Sequence, residues 1–170
     1  DMYVPILPPM PFPRFIKKKT SQYPFDENAE ISTSARMSLG NLLYTFKIPE
    51  NAEILIPAYM CDDVVLALRQ MGYSVAYYNV PLDLQCSVND IRPYIADRCR
   101  ALLITHYFGY PQERIEEIVE FAHNLGIIVI EDCAHTLTGS YKGRKLGTFG
   151  DGSIFSPRKI LGGPNCGLSW

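Results

Sequence analysis

The sequence predicts an α/β fold in which a mostly parallel sheet carries helices on both faces. Short, continuous apolar runs alternate along the chain with amphipathic stretches of helical length. Strands that are buried on both faces read as continuous apolar runs, and the helices between them form the crossovers of a parallel sheet. At 170 residues, the chain is also long enough for one domain with a real hydrophobic core.

The first half of the chain alternates two helices with two strands. A helix is predicted to begin near Ser34, because a Ser/Thr cluster stands before apolar residues at helical spacing. Ile54–Ile56 is a short apolar strand that is stopped by the proline after it. Val64–Met71 has helical spacing and is followed by a glycine, which ends the helix before a strand at Val75–Tyr78.

The second half continues the same alternation. A short helix is predicted around residues 88–96, although a proline inside this stretch weakens it. Ala101–Thr105 reads as a buried strand, and Ile115–Leu125 reads as an amphipathic helix closed by a glycine. Ile127–Ile130 and Ser153–Phe155 are the last two predicted strands.

Composition divides the chain into an arm and a domain. Residues 1–30 are rich in proline and aromatic side chains, which predicts an extended arm that packs on its own domain or on a neighbouring subunit. Residues 31–170 form the predicted α/β domain. The chain begins without methionine and ends just after a Gly-rich stretch, with no closing element expected there. We therefore expect a fragment or a truncated gene product.

Charge, hydropathy and cysteine content exclude several classes of function. The formal net charge is -2, and the basic triplet Lys17–Lys19 is too short to indicate a nucleic-acid site. No apolar run approaches the roughly 20 residues of a membrane span. The five cysteines are odd in number and widely spaced, which disfavours a disulfide framework and a zinc site. Reduced thiols fit a cytoplasmic protein. From the charge, the apolar runs and the cysteine spacing together, we expect no nucleic-acid partner, no membrane partner and no metal.

Polar side chains follow three of the predicted strands. Ligands of open α/β sheets bind beyond the carboxyl ends of the strands, so these positions are the first candidates for a site. Taken singly, an acid there caps a turn, a histidine packs as a hydrogen-bonded ring and a lysine is a surface charge. Two carboxylates, two histidines, a serine and a lysine at one rim exceed what a core needs. They are Glu131, Asp132, His106, His135, Ser156 and Lys159.

Five segments of the chain, in order, carry a recognisable pattern. They are Ile56–Tyr59, Thr105–Pro111, Val129–His135, Tyr141–Arg144 with Gly147, and Gly150–Lys159. Together they resemble the DegT/DnrJ/StrS family of pyridoxal-phosphate-dependent sugar aminotransferases of fold type I, and the match runs from about Ser32 to Gly163. The resemblance implies the large domain of that fold, incomplete at the C-terminus.

The resemblance assigns the reacting and ring-binding roles. Lys159 would bind pyridoxal 5'-phosphate as a Schiff base and shuttle a proton at the substrate carbon. Asp132 would face the pyridine nitrogen and keep it protonated, which makes the ring an electron sink. His135 lies where the family has a Gln or His near the ring oxygen. The family commonly has an aromatic ring at the position of Cys61, and Tyr59 is the candidate to replace it.

The resemblance also implies a phosphate site. Ala35 and Arg36 match the phosphate-binding turn at a helix start, where backbone N–H groups are donors. Ser156 matches the family's phosphate-binding serine, although only two residues separate it from Lys159, whereas the family usually has four. An alignment without a gap puts Ile154 at the serine position, which would remove that donor.

For the parent protein, the resemblance implies an aminotransferase. It would move an amino group from an amino-acid donor to a keto-sugar nucleotide, and it would act as a homodimer. Lysine at position 159 also speaks against the sugar-dehydratase branch, where the corresponding residue is histidine. Two alternatives remain open: a truncated, non-catalytic chain that keeps the core of the fold, and a lyase on the same scaffold.

Overall fold

A computed structural model of the chain describes residues 29–161 and 164–170. Helices and strands alternate through these residues, as the apolar pattern predicts. Two single 3-10 turns, Arg92–Tyr94 and Tyr107–Gly109, lie between them. The elements are β1 (Glu30–Ser32), α1 (Ala35–Thr45), β2 (Glu53–Pro57), α2 (Asp62–Gln70), β3 (Ser74–Tyr78), α3 (Val88–Ile91), β4 (Cys99–Thr105), α4 (Ile115–His123), β5 (Ile128–Asp132), β6 (Ser140–Tyr141), β7 (Arg144–Lys145), β8 (Gly152–Phe155), α5 (Pro157–Leu161) and β9 (Gly167–Ser169).

Within the described residues, seven strands form one sheet in the order β1-β9-β8-β5-β4-β2-β3. The five strands from β8 to β3 run parallel to one another. The strand β9 runs antiparallel to both of its neighbours, β8 and β1. The sheet is therefore mostly parallel, and the carboxyl ends of its parallel strands meet at one edge.

Helices cover both faces of the sheet. Alternate residues of the central strand β4 point to opposite faces, so Ala101 and Leu103 pack in one apolar cluster with α1 and α2. Leu102 and Ile104 pack in the other cluster with α4. Burial on both faces explains why these strands read as continuous apolar runs.

Helix ends follow the local sequence. The Ser34 hydroxyl accepts the backbone N–H of Met37 at 3.3 Å and begins α1. Gly72 and Gly126 have φ values of 89° and 69° just after α2 and α4, a left-handed conformation that favours glycine. The helix predicted for residues 88–96 is shorter, because the Pro93 ring disrupts helical hydrogen bonding; α3 ends at Ile91, and a 3-10 turn follows.

The two ends of the domain differ from the sequence prediction. The sequence assigns Glu30 to the arm, but this residue begins β1. The sequence predicts no closing element at the end of the chain, but that end forms β9 between β1 and β8. Both strands have only three residues, which is too few to show an apolar period. They pair with each other although most of the chain separates them in sequence. The rest of the predicted arm, residues 1–28, lies outside the described residues. Among the described helices, none is long and apolar enough to span a bilayer.

Candidate cofactor site

A cavity of about 950 Å³ opens at the carboxyl edge of the parallel strands. Its wall includes residues that end or follow β2, β4, β5 and β8, together with the first turn of α1. This is the position at which open α/β sheets bind ligands. All seven residues that the resemblance singles out lie on this wall: Ala35, Arg36, Tyr59, Asp132, His135, Ser156 and Lys159.

Asp132 is the buried acid of the cavity. It is the last residue of β5 and is only 7% exposed, and its Oδ1 accepts the backbone N–H of Ala134 at 2.9 Å. Burial raises the pKa of Asp132, while the Ala134 N–H and the nearby Lys159 charge partly offset that rise. A cationic partner in the cavity would stabilise the ionised carboxylate.

Lys159 and His135 lie within hydrogen-bond distance of each other. The Lys159 Nζ is 3.1 Å from His135 Nε2, and the other ring nitrogen, Nδ1, accepts the backbone N–H of Phe108 at 3.1 Å. The Phe108 ring stacks on the imidazole with a centroid distance of 5.7 Å. Burial, and then the Lys159 charge, lower the pKa of His135, which favours a neutral ring.

The first turn of α1 supplies backbone donors to the same cavity. Inside this turn, Ser34 accepts the N–H of Met37 through its hydroxyl and the N–H of Ser38 through its carbonyl, at 3.3 and 3.0 Å. The N–H groups of Ala35 and Arg36 have no acceptor within the helix, as is usual at a helix start. Together with the positive end of the helix dipole, they suit an anion such as a phosphate.

Gly167 allows β9 to lie against that helix start. It pairs with Ser32 across the β1–β9 ladder, and a Cβ at this position would overlap the Ser34 carbonyl and the Ala35 nitrogen. Only glycine permits this approach, so Gly167 helps to hold the turn in place. The sequence alone does not single out Gly167, since a Gly-rich segment does not reveal which glycine meets another backbone.

Ser156 and Ile154 both face the cavity, so the geometry leaves room for either alignment of the serine position. Ser156 is buried directly before α5, and its carbonyl accepts the N–H of Lys159 at 3.0 Å. The serine and the lysine therefore share one helical turn.

Tyr59 presents an aromatic ring at the wall after β2. Its ring is stacked on Tyr107 with a centroid distance of 5.5 Å, and its carbonyl accepts the Tyr107 hydroxyl at 2.8 Å. These contacts fix a half-exposed ring close to Cys61, which also lines the cavity. Tyr59 is thus held in place at this wall.

The sequence model of the DegT/DnrJ/EryC1/StrS aminotransferase family matches residues 17–161, which is most of the chain. The chain belongs to this family. Membership confirms the resemblance stated above, and the mostly parallel sheet with helices on both faces confirms the predicted fold class.

The relatives that match this chain are longer than it is. The chain is 30% identical to GDP-perosamine synthase of Escherichia coli over 146 residues, covering 84% of this chain and 40% of that protein. An aminotransferase structure from Psychrobacter cryohalolentis matches with a TM-score of 0.76 at 21% identity, over 83% of this chain and 36% of that one. The PLP form of a Streptococcus pneumoniae protein described as a sugar aminotransferase matches with a TM-score of 0.73 at 17% identity. The match covers 83% of this chain and 40% of that one. The chain spans about two fifths of the length of the first of these relatives.

Two polar residues expected at the rim lie behind the cavity. His106 and Glu131 have no solvent exposure and bond to each other at 2.8 Å. Glu131 precedes Asp132 on β5, and because side chains alternate along a strand, it points to the opposite face of the sheet. The expectation that all six polar groups share one rim is therefore wrong for this pair.

The same buried pair approaches Cys133, and these three ligand atoms lie within 4.8 Å of one another. Such a cluster could hold a metal, but the Glu131 oxygens and both His106 nitrogens already have hydrogen-bond partners. Burial, with the nearby carboxylates, raises the pKa of the Cys133 thiol and disfavours the thiolate that binds metals. The arrangement is that of a structural network.

The rim of the cavity carries charges of both signs. Arg36 forms an ion pair of 2.9 Å with Asp63 in the first turn of α2, and Arg158 lies beside Lys159 on the same wall. Asp63 was not among the predicted residues, because an acid at a helix start is usual and carries no further signal. The ion pair with Asp63 draws the Arg36 side chain towards α2. Arg36 therefore contributes its backbone N–H, and not its side chain, to the anion site at the helix start.

Proposed function

We propose that this chain is the cofactor-binding part of a pyridoxal-phosphate-dependent aminotransferase. One observation carries the proposal: an amine, a buried carboxylate and a helix N-terminus open on a single cavity at the carboxyl edge of the sheet. These are the groups that an aldehyde, a pyridine nitrogen and a phosphate require. The family and the likeness to GDP-perosamine synthase support the same reaction class.

Each residue of the cavity has a role that suits its chemistry. Lys159 would join the cofactor aldehyde as a Schiff base, and the buried Asp132 would hold a protonated pyridine nitrogen. His135 would donate to the ring oxygen, and Tyr59 would stack on the ring. The phosphate would be bound by the backbone N–H groups of Ala35 and Arg36 and by the Ser156 hydroxyl.

When bound, pyridoxal phosphate supplies the electron sink that stabilises negative charge at the substrate carbon. The chain supplies the positions of the acid and the base. Asp132 is fixed by the Ala134 N–H, and Lys159 stands one hydrogen bond from His135. At that place the amine of Lys159 would move a proton to and from the substrate carbon.

The family supports a proposal about the substrates and partners of the whole protein. We propose an amino acid as the donor, a keto-sugar nucleotide as the acceptor, and a homodimer as the working form in the cytoplasm. The part of the relatives that this chain does not cover would supply the small domain and select the sugar.

The first test is the absorption band that appears when pyridoxal phosphate is added to the chain. We expect a Schiff-base band that borohydride removes and that Lys159→Ala abolishes. Lys145→Ala is the matched control, because this exposed lysine lies in β7, away from the cavity. A band that survives Lys159→Ala would contradict the role of this lysine, and no band in any form of the protein would support a non-catalytic chain.

The second test separates transamination from other reactions on the scaffold. A longer form of the protein that includes the remaining domain is loaded with cofactor and mixed with glutamate or glutamine. We expect the band to change to that of the amine form of the cofactor, with release of the keto acid. Loss of the carboxylate or of a leaving group instead would indicate a lyase.

A further inference from the structure

The turn Tyr107–Gly109 is built around the His135 ring. Phe108 has a φ of 54°, a left-handed conformation that a residue with a Cβ rarely adopts, and Gly109 follows with a φ of 85°. A Cβ on Gly109 would lie 2.9 Å from the His135 carbonyl oxygen. Phe108 and Gly109 therefore both lie against His135, Phe108 through a hydrogen bond and Gly109 through a close approach of the two backbones.

This conformation aims the Phe108 backbone N–H at one nitrogen of the imidazole. The N–H lies 3.1 Å from His135 Nδ1, and the Phe108 ring covers one face of the imidazole, with an angle of 9° between the two planes. A backbone N–H can only donate, so the nitrogen that accepts it must carry a lone pair. In a neutral imidazole, the proton is then on the other nitrogen, Nε2.

We propose that the Phe108 turn fixes the tautomer of His135, so that Nε2–H is the donor that faces Lys159 and the cavity. The inference rests on the proposed function, because it names a positioning residue for the same cofactor site. Phe108 acts through its backbone and through the ring that it stacks on His135, and it makes no bond to Lys159 itself.

The tautomer has a consequence for Lys159. Its Nζ lies 3.1 Å from His135 Nε2, and a nitrogen that bears the ring proton can only donate across this contact. A hydrogen bond across this contact therefore needs the lone pair of the lysine nitrogen, the same lone pair that would attack an aldehyde carbon, forming a C–N bond and releasing water. The turn thus directs the Nε2–H of His135 at the nucleophilic nitrogen.

Burial and neighbouring charges agree with a neutral ring. Burial and the Lys159 charge lower the pKa of His135, and only the Asp132 carboxylate acts in the opposite direction. When Lys159 is joined to the cofactor, the same Nε2–H remains available to an oxygen acceptor in the cavity. A fixed donor of this kind would favour a deprotonated ring oxygen.

The direct test is the nitrogen NMR spectrum of the chain labelled with ¹⁵N-histidine, recorded without cofactor. The His135 signals are identified by their loss in His135→Gln. We expect an unprotonated Nδ1 and a protonated Nε2 at neutral pH. His106 is an internal reference for this tautomer, because its Nδ1 accepts the N–H of Gln112 at 3.1 Å. A protonated Nδ1 or a doubly protonated His135 ring would overturn the proposal.

Two changes at position 108 separate the backbone donor from the side chain. Replacing Phe108 with its α-hydroxy acid changes the amide to an ester, removes the N–H and leaves the ring. We expect a protonated Nδ1 population to appear in this form. Phe108→Gly keeps the N–H and tolerates the positive φ, so it should keep the tautomer without the stacked ring. An ester form with an unchanged tautomer would overturn the role of the turn.

Both tests are read from histidine signals recorded without pyridoxal phosphate, so failure of the cofactor test would leave these results standing, and the reverse also holds.

Discussion

The His106 Nε2 and Glu131 Oε2 atoms form a hydrogen bond of 2.8 Å between two side chains that have no solvent exposure. The Gln112 N–H donates to His106 Nδ1, so the proton of this ring is on Nε2 and points to the carboxylate. The Glu131 oxygens also accept three backbone N–H groups from the segment before β8, those of Gly147, Phe149 and Gly150. The pair therefore ties the ends of β4 and β5 to the loop behind the cavity.

Glu131→Gln should destabilise the chain by about 2–4 kcal/mol, because the amide replaces an acceptor oxygen with a donor that faces N–H groups. The measurement is the free energy of unfolding from urea titration. Glu116→Gln is the control, since its ion pair with Lys142 is 3.5 Å long and exposed, and we expect a change of less than about 0.5 kcal/mol there. Equal stability of the two variants would show that the buried network contributes little.

Asp132→Asn should stabilise the cofactor-free chain while weakening cofactor binding. Burial raises the folded-state pKa of Asp132 above its ordinary value of 3.8, so the folded state is penalised once the carboxylate ionises. The gain from Asn is absent below pH 3.8, grows as the pH rises through the raised pKa, and is complete above it. Urea titrations at several pH values measure this dependence.

The same variant should bind pyridoxal phosphate about 10 to 100 times more weakly, because a hydrogen bond to a charged partner contributes about 1.5–3 kcal/mol. Absorption titration gives the affinity. Asp63→Asn is the control, because Asp63 lines the same cavity but pairs with Arg36 at an exposed site. A gain in stability without a loss of affinity would mean that Asp132 does not face the cofactor.

Much of the fold could be predicted because its inner strands obey one simple rule. The predicted strands that correspond to β2, β3, β4 and β5 agree with the structure within two residues at each end. Because these strands are buried on both faces, their sequences are continuous apolar runs that can be recognised. The outer strands β1 and β9 could not be predicted, because three residues show no period and their pairing joins distant parts of the chain.

The candidate site was predictable to the level of strand ends and no further. The rule that ligands bind at the carboxyl edge directs attention to Asp132 and Lys159, and the resemblance to a family adds their roles. Neither the rule nor the resemblance reveals that the Glu131 side chain points away from that of Asp132, because the face on which each lies depends on where β5 ends. The role of Phe108 was also hidden, since a left-handed φ at an aromatic residue leaves no trace in composition.

Gly167→Ala should loosen the start of α1. The added Cβ would overlap the Ser34 carbonyl and the Ala35 nitrogen, so β9 must shift, at a cost of about 1–3 kcal/mol. We expect weaker binding of pyridoxal phosphate as well as a lower free energy of unfolding. Gly40→Ala is the control within α1, because its Cβ would meet only the flexible Met71 side chain and alanine favours a helix. Equal effects of the two substitutions would contradict the close approach at Gly167.

Cys61 should be the fast-reacting thiol of the described residues, and pyridoxal phosphate should protect it. Cys61 is exposed and lines the cavity, Cys166 lines the same cavity but is only partly exposed, and Cys86, Cys99 and Cys133 are buried. Burial raises the pKa of Cys86 to about 12 and that of Cys99 to about 11. At pH 8, about one Cys86 in ten thousand is then the reactive thiolate, so this thiol should stay unmodified while the chain is folded.

The measurement is the rate of iodoacetamide labelling of each cysteine, followed by peptide mass spectrometry with and without pyridoxal phosphate. Saturating cofactor should slow the labelling of Cys61 at least about tenfold if it fills the wall between Tyr59 and Lys159, and Lys159→Ala should remove most of this protection. Cys61→Ser identifies the fast phase by its disappearance. Protection that persists in Lys159→Ala would show that the cofactor covers Cys61 without a bond to this amine, whereas no protection in either form would place the bound cofactor elsewhere on the surface.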